Sequence, residues 1–188
     1  MMKTVTPPAL GAAPQAHVAP NLQIHRLSAS DWPRYALGIG ELLNHEITHS
    51  AYLYREEVFD REELERWLQT RTQPQGMLCV AILEGNLVGF ASYAPFRSFS
   101  GSVDTVEHSL YVSQYWRTQG IGGKLLQASL HIAQQAGKKS LVGVIDSENL
   151  PSIRLHERHQ FDHVGCLRGL GRKFGVYRNA ELFQRLLS

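Results

Sequence analysis

The sequence predicts one α/β domain with a mixed sheet, and two observations carry this prediction. Apolar runs of strand length alternate with stretches whose apolar residues recur every three or four positions, the spacing of one helix face. In the second half a strand, a helix and a strand follow one another, which favours a local parallel pair. The chain has 188 residues, of which 43% are hydrophobic and 19% charged, and these numbers suit one buried core.

The predicted elements follow one another from Leu22 onward. The first helix has capping residues within Ser28–Asp31 and Pro33 in its first turn, where a missing N–H costs little. A Gly-Asn turn at residues 85–86 predicts a hairpin. The predicted order is an edge strand at 22–27, helices through 39–47 and over 60–71, strands at 77–83, 87–93 and 104–113, a helix through 122–133, a strand at 141–145, a helix at 149–158, and strands at 161–170 and 173–183 joined at Gly171.

Composition limits where the protein acts and what it binds. Residues 1–21 carry one lysine, no acid and four prolines, which predicts a disordered tail before a single domain at 22–188. The prolines interrupt the apolar core of a signal peptide, so a cytoplasmic protein is expected. Lys plus Arg number 19 and Asp plus Glu 17, a balance that does not indicate nucleic acid. The chain has no apolar run of about 18 residues, so no membrane span is predicted, and its two cysteines do not make a disulfide framework.

A glycine-rich segment joins a predicted strand to a predicted helix and reads Arg117-Thr118-Gln119-Gly120-Ile121-Gly122-Gly123. Three glycines in four residues leave backbone N–H groups unshielded at a helix N-terminus, where these donors and the helix dipole attract an anion. Lys124 adds positive charge nearby. The spacing matches neither the P-loop nor the dinucleotide-binding fingerprint. A tight turn with close helix packing is the alternative interpretation.

Two histidine patterns raise the alternative of a metal site. His45-Glu46-Ile47-Thr48-His49 fits the His-Glu-x-x-His pattern of zinc peptidases, but the longer pattern with a third histidine is absent. A polar helix end beside a substrate pocket is the simpler interpretation. His156, His159 and His163 are spaced by three and four residues, with Cys166 beyond, yet a predicted turn at 160–162 separates them. No metal is therefore predicted.

Four segments give the chain a family resemblance. The sequence Glu107-His108-Ser109-Leu110-Tyr111-Val112, followed by the glycine-rich segment, resembles the GNAT superfamily of N-acetyltransferases. More narrowly, the chain resembles the phosphinothricin acetyltransferase subfamily. The matching segments are Pro95-Phe96-Arg97, 105–112, Asn149 to Glu157, and Gly171-Arg172-Lys173-Phe174-Gly175. This resemblance implies a mostly antiparallel twisted sheet with a splayed parallel strand pair, flanking helices, and a homodimer.

The resemblance implies acetyl-CoA as co-substrate and places it on particular residues. Its pyrophosphate would lie on the backbone amides of the segment Thr118, Gln119, Gly120, Ile121, Gly122 and Gly123, which follows Arg117 of the motif. Its pantetheine arm would pair with Leu110, Tyr111 and Val112 like an added strand. Asn149 matches the family asparagine that bonds the pantetheine, although helix capping is its alternative role.

The reaction needs groups that move protons. An amine attacks a thioester only as the free base, so a base is needed, and a carboxylate commonly serves. Glu107 is the predicted base, on the face of its strand opposite Val106. The strand pattern alone leaves open whether Glu107 is solvated or lies in a cleft, and the resemblance favours the cleft. His156 stands where many family members place the tyrosine that protonates the leaving thiolate, and a surface histidine is the alternative.

The amine substrate is expected to be small and amino acid-like, such as phosphinothricin or methionine sulfoximine. Arg97 is predicted to bind its acidic group, because a guanidinium suits carboxylate or phosphinate. Lys173 is a second candidate cation, and Tyr52 and Tyr54 are candidates for the pocket wall, with core packing as their alternative. A non-catalytic acyl-CoA-binding regulator on the same fold is the alternative function.

Overall fold

The computed structural model describes residues 21–187, which form one seven-stranded sheet in the order β1-β2-β3-β4-β5-β7-β6. The elements are β1 (Gln23–Arg26), α1 (Trp32–His49), α2 (Arg61–Thr72), β2 (Met77–Leu83), β3 (Asn86–Pro95), β4 (Thr105–Val112), α3 (Ile121–Gln135), β5 (Ser140–Asp146), α4 (Leu150–Arg158), β6 (Asp162–Lys173) and β7 (Val176–Leu186). Of the predicted tail, only Asn21 lies within the described residues. No helix in the described range is long and apolar enough to cross a membrane.

One pair of neighbouring strands is parallel, and it opens partway along. β4 pairs with β5 at Thr105, Val106 and Glu107 only, whereas every other neighbouring pair in the sheet is antiparallel. On its other side β4 is paired with β3 throughout, from Val106 to Val112. The backbone groups of residues 108–112 that point towards β5 are therefore left without strand partners. The predicted mixed sheet with a splayed parallel pair is confirmed.

Strand alternation builds a hydrophobic core on each face of the sheet. On β2, Met77 and Cys79 belong to the core beneath α3, whereas Leu78 and Val80 belong to the core beneath α1 and α2. Successive strand residues point to opposite faces, so a strand that is buried on both faces is apolar throughout. The same alternation on β4 sends Val106 to the α3 side and Tyr111 to the α1 and α2 side.

Local signals fix where the helices begin. Asp60 caps α2 with a reciprocal capping box, in which its side chain accepts from Glu63 N at 2.8 Å. Asn149 caps α4 by accepting from Ser152 N at 3.2 Å. These two helices therefore start where the sequence predicts.

The predicted turn between the last two strands is wrong. Gly171 lies inside β6 and is paired with Arg178, next to an irregularity in strand register. The chain turns instead at Phe174 and Gly175, whose φ angles are 50° and 79°. Two successive residues with positive φ make the tight hairpin turn that matches strand twist. Glycine is required at 175, while Gly171 is needed because a Cβ there would lie 2.3 Å from Cδ2 of the Tyr54 ring.

Candidate active site

A cleft of about 610 Å³ opens where β4 and β5 diverge. Its walls come from the end of α1, the strands β4 and β5, the glycine-rich segment, and the helices α3 and α4. The splay leaves the cleft with a polar backbone edge along β4, because residues 108–112 have no partner in β5. An extended ligand can pair with such an edge as another strand would.

Most of the predicted site residues line this cleft. They are Tyr52, Glu107, Leu110, Tyr111, Val112, Arg117, Thr118, Gly120, Ile121, Gly122, Gly123, Asn149 and His156. The structure therefore brings the strand, the glycine-rich segment and α4 together, although they are distant in sequence. Gln119, Tyr54, Arg97 and Lys173 are not among the residues that line it.

The N-terminus of α3 is arranged to receive an anion. Its N-cap is Gly120, which has a φ of 76° and offers no side chain to the first-turn amides. Those amides therefore have no side-chain acceptor from the N-cap, and they and the helix dipole are available to an anion in the cleft. Arg154 and Arg158 of α4 line the same cleft and add positive charge. These features fit the pyrophosphate of a nucleotide cofactor.

Arg117 has a structural role within this segment. Its Nε donates to Val112 O at 3.1 Å, and its Nη2 pairs with Glu46 of α1. The side chain thus ties the glycine-rich segment to β4 and α1, and it still borders the cleft. The glutamate of the His-Glu-x-x-His match is therefore paired with Arg117.

The histidines of the two candidate metal patterns lie in other arrangements. His45 and His49 stack on each other with ring centroids 4.4 Å apart. His159 ends α4, and His163 lies on β6 bonded to Glu181 at 2.7 Å. No group of three potential metal ligands occurs within residues 21–187.

Glu107 is the last residue of β4 that pairs with β5, so its carboxylate stands at the point where the sheet opens. The side chain is half-buried, and it forms no ion pair with any residue from 21 to 187. Burial raises the pKa of Glu107, and the nearby positive charges of Arg71 and Arg97 oppose that increase. The structure thus places Glu107 in a cleft, with its carboxylate available to a ligand.

His156 forms a buried pair with His108. The two Nε2 atoms are 2.9 Å apart, and His156 Nδ1 lies 2.8 Å from Ser152 O. A carbonyl can only accept, so Nδ1 of His156 carries the proton and its Nε2 accepts from His108. The pair packs tightly against β5, where a Cβ on Gly143 would lie 3.1 Å from His156 Nε2.

This geometry does not support His156 as the general acid. Burial lowers the pKa of His156 to about 4, so the ring is neutral at pH 7. Its one proton is donated to the backbone of α4, and its other nitrogen is an acceptor for His108. A neutral histidine bonded in this way has no proton to deliver to a leaving thiolate.

The histidine pair is expected to make the protein unstable in mild acid. Burial also lowers the pKa of His108, so both histidines are less basic in the folded than in the unfolded chain. Below a pH of about 6.5 the unfolded chain takes up protons that the folded chain does not. The free energy of unfolding therefore decreases as the pH is lowered. The unfolding equilibrium constant should rise by up to about 100-fold per pH unit between about pH 6 and 4.

Denaturant titrations at several pH values measure this effect. The double variant His108→Gln and His156→Gln lacks both titrating rings and serves as the matched comparison. Its stability should depend much less on pH in this range. Equal slopes for the parent and the double variant would contradict the assignment of neutral histidines to the folded state.

Tyr54 and Asp146 form a network that sequence reasoning did not identify. The Tyr54 hydroxyl donates to Asp146 Oδ2 at 2.8 Å, and Arg178 donates to both carboxylate oxygens. Burial opposes ionisation, but these hydrogen bonds lower the pKa of Asp146. Tyr54 is thus one layer behind the cleft, where Asp146 itself is part of the lining. The sequence contains a weak signal for Asp146, a lone acid at the end of an apolar strand.

The two predicted substrate cations lie in different surroundings. Lys173 is 2% exposed, and its Nζ donates to Ile47 O at 2.5 Å and to Arg55 O. Lys173 therefore ties the β6–β7 hairpin to the end of α1, and the prediction that it contacts substrate is not supported. Arg97 is exposed and lies over the Phe96 ring at 5.1 Å from its centroid. Its positive charge nevertheless opposes the increase in the pKa of Glu107 that burial causes.

A splayed sheet beside an uncapped helix N-terminus defines the chain as an acyltransferase of the kind that uses coenzyme A. Residues 43–161 match the model of the acetyltransferase (GNAT) family, and the chain belongs to that family. It is 33% identical over 146 residues to a methionine sulfoximine/methionine sulfone acetyltransferase of Salmonella typhimurium, covering 78% of this chain and 85% of the relative. The predicted family is confirmed, and the chain is an enzyme that uses acetyl-CoA as acetyl donor.

Two further comparisons support the subfamily resemblance. The chain is 33% identical over 147 residues to the phosphinothricin N-acetyltransferase of Streptomyces viridochromogenes, covering 77% of this chain and 79% of the relative. A phosphinothricin acetyltransferase of Sinorhizobium meliloti, solved in complex with acetyl-CoA, superposes with a TM-score of 0.82 at 26% identity. That match covers 89% of each chain.

Proposed function

We propose that this enzyme transfers the acetyl group of acetyl-CoA to the amino group of a small amino acid-like substrate, such as methionine sulfoximine or phosphinothricin. The names of the relatives support this substrate class. The observation that carries the proposal is the position of Glu107, a half-buried carboxylate where β4 leaves β5. There it is well placed to take the proton from a substrate ammonium, whose pKa lies well above 7.

The proposed reaction is a direct attack within a ternary complex. The ammonium loses one proton to Glu107, and the free amine attacks the thioester carbonyl. As the tetrahedral intermediate collapses, the C–S bond breaks, coenzyme A leaves as the thiolate, and the nitrogen loses its second proton to solvent. An acyl-enzyme on cysteine is not part of this proposal, because Cys79 is buried in the core and neither cysteine lines the cleft. Burial raises the pKa of Cys79 to about 11, which also makes it a poor nucleophile. The thiolate takes its proton from solvent.

We propose that acetyl-CoA binds through the residues that the sequence predicts. The unpaired edge of β4 at Leu110, Tyr111 and Val112 offers hydrogen bonds to the pantetheine amides. The amides from Thr118 to Gly123 would hold the pyrophosphate, supported by the uncapped start of α3. Asn149 caps α4 with its Oδ1 and lines the cleft, so its side-chain nitrogen is the group proposed to bond the pantetheine.

Release of free thiol from acetyl-CoA tests the function directly. A panel of amines that contains methionine sulfoximine, phosphinothricin and the common L-amino acids should show saturable, amine-dependent release for the first two. A non-catalytic acyl-CoA-binding regulator would bind acetyl-CoA but release no thiol with any amine. Release that depends on none of the amines would contradict the proposal.

Arg97 is proposed to bind the acidic group of the amine substrate, while Tyr52 forms part of the pocket wall. The variant Arg97→Gln should lower kcat/KM for an acidic amine about 10-fold and leave acetyl-CoA binding unchanged. This is the lower end of the range for a charge-assisted hydrogen bond, because Arg97 is exposed to solvent. Steady-state kinetics with a substrate and with the same substrate amidated at its carboxylate measure the effect. Equal losses for both substrates would show that Arg97 does not recognise the acid.

We also propose a cytoplasmic homodimer with a single domain at 22–188. β6 is an edge strand of the sheet, and the β6–β7 hairpin exposes several large apolar side chains. They include Val164, Leu167, Leu170, Phe174, Val176 and Tyr177. An apolar surface at a strand edge suits pairing with a second copy. Sedimentation equilibrium at micromolar concentration should give twice the mass of one chain.

A further inference from the structure

A second, smaller cavity lies beside the cleft and shares two residues with it. Its volume is about 160 Å³, enough for several water molecules at roughly 30 Å³ each. Its lining consists of Arg71, Ser92, Ala94, Pro95, Glu107 and Ser109. Glu107 and Ser109 line both spaces, so these two residues separate the substrate cleft from this polar cavity.

Arg71 is held in place by its own helix. It lies in the last turn of α2, with its guanidinium stacked over the Trp67 ring at 3.8 Å from the centroid. Nη1 donates to Trp67 O at 3.2 Å and to Thr70 Oγ1 at 3.0 Å. Nε is buried and has no hydrogen-bond partner among residues 21–187. Burial lowers the pKa of Arg71 to about 10, so the side chain still carries its charge at neutral pH.

The other elements around Glu107 carry two more ionisable groups, of which one is exposed to solvent and the other is paired with a third residue. Arg97, from the segment after β3, is the second cation that acts on Glu107, and it is exposed. Glu46 of α1 borders the cleft but is paired with Arg117.

Two more ionisable groups lie on β4 itself, and both are neutral. Tyr111 follows Glu107 on the same face of the strand, and burial raises its pKa to about 12. His108 points to the opposite face, and burial lowers its pKa. Arg71 is therefore the partly buried charge that faces the same cavity as Glu107.

We propose that Arg71 is a positioning residue for Glu107, and that its guanidinium, across the small cavity, keeps Glu107 in the anionic form that accepts the ammonium proton. This inference rests on the proposed function of Glu107 as the base. Burial alone favours the neutral acid, which cannot accept a proton, and a nearby cation opposes that preference. After the transfer, Glu107 returns its proton to solvent through the small polar cavity.

A titration of the Glu107 carboxyl carbon by NMR tests this proposal without any substrate. The full chain is compared with Arg71→Met, which removes the charge, and with Arg71→Lys, which retains it. Arg66→Met is the matched control, because Arg66 lies on the same helix and pairs with Glu62 on its exposed side. The signal is assigned by its loss in Glu107→Gln. The titration midpoint should rise in Arg71→Met, return towards the parent value in Arg71→Lys, and stay unchanged in Arg66→Met.

The pH profile of kcat/KM gives a second readout. The acidic limb should move upward in Arg71→Met by the same amount as the titration midpoint. At pH values below the limb, kcat/KM should fall about 10-fold for each pH unit by which the limb moves, and well above the limb the loss should vanish. If Arg71→Met does not fold, Arg71→Gln keeps a donor for Trp67 O and gives the same readouts.

Two results would overturn the proposal. One is an unchanged Glu107 midpoint in the folded Arg71 variants. The other is a loss of kcat/KM that is equal at every pH and confined to acidic amines, which would assign Arg71 to substrate binding. Failure of the proposed function is distinguishable, since full activity in Glu107→Gln would remove Glu107 as base whatever the NMR titration shows.

Discussion

Replacing Glu107 with glutamine is expected to lower kcat/KM about 10²- to 10⁴-fold at pH 7, the usual contribution of a general base. Glutamine has nearly the same shape but cannot accept a proton. The affinity for acetyl-CoA should not change, because the proposed cofactor contacts lie further along β4 and at the start of α3. The defect should shrink as the pH rises, since a growing fraction of the amine is then deprotonated without help.

Steady-state kinetics between pH 6 and 10, with acetyl-CoA affinity measured by calorimetry, check this result. Glu84→Gln is the matched control, because Glu84 is exposed in the β2–β3 turn, whereas Glu107 pairs with Ala94 near the other end of β3. It should behave like the parent enzyme at every pH. An unchanged kcat/KM for Glu107→Gln at pH 7 would remove Glu107 from the mechanism.

Replacing Gly122 with glutamate is expected to raise the KM for acetyl-CoA by about 100-fold or more. Gly122 lies in the first turn of α3, where the proposed pyrophosphate site presents backbone amides. A carboxylate there places a like charge against the pyrophosphate, and such a juxtaposition costs several kcal/mol. An acid in the first turn of a helix favours the helix itself, so the loss should come from the ligand site and not from folding.

Gly122→Ala separates the effect of charge from that of a side chain. A Cβ at this position would meet Leu155 at 3.5 Å and Leu110 at 3.7 Å, which are ordinary contacts. The alanine variant should therefore keep most of its acetyl-CoA affinity, while both variants melt near the parent temperature. Tight binding of acetyl-CoA by a folded Gly122→Glu variant would show that the pyrophosphate lies elsewhere.

Local rules were enough to predict the order of elements, the glycine-rich start of α3 and the strand position of Glu107. These rules are apolar periodicity, helix capping and the alternation of strand faces. Alternation puts Glu107 on the face opposite Val106, and the structure makes this the α1 and α2 side. Local turn chemistry was less decisive, because Gly171 and Gly175 are both plausible turn residues and only strand register selects Gly175.

Contacts between distant parts of the chain decide which of the predicted side chains reach the cleft and which do not. Lys173 reaches the carbonyl of Ile47, which is 126 residues away, and Tyr54 reaches Asp146 across 92 residues. His156 meets His108 across 48 residues, and that contact removes its availability as an acid. Nor does the local sequence indicate that Arg71 lines a cavity with Glu107. Periodicity encodes which face a residue occupies, whereas its partner depends on how distant elements pack, and no local pattern contains that information.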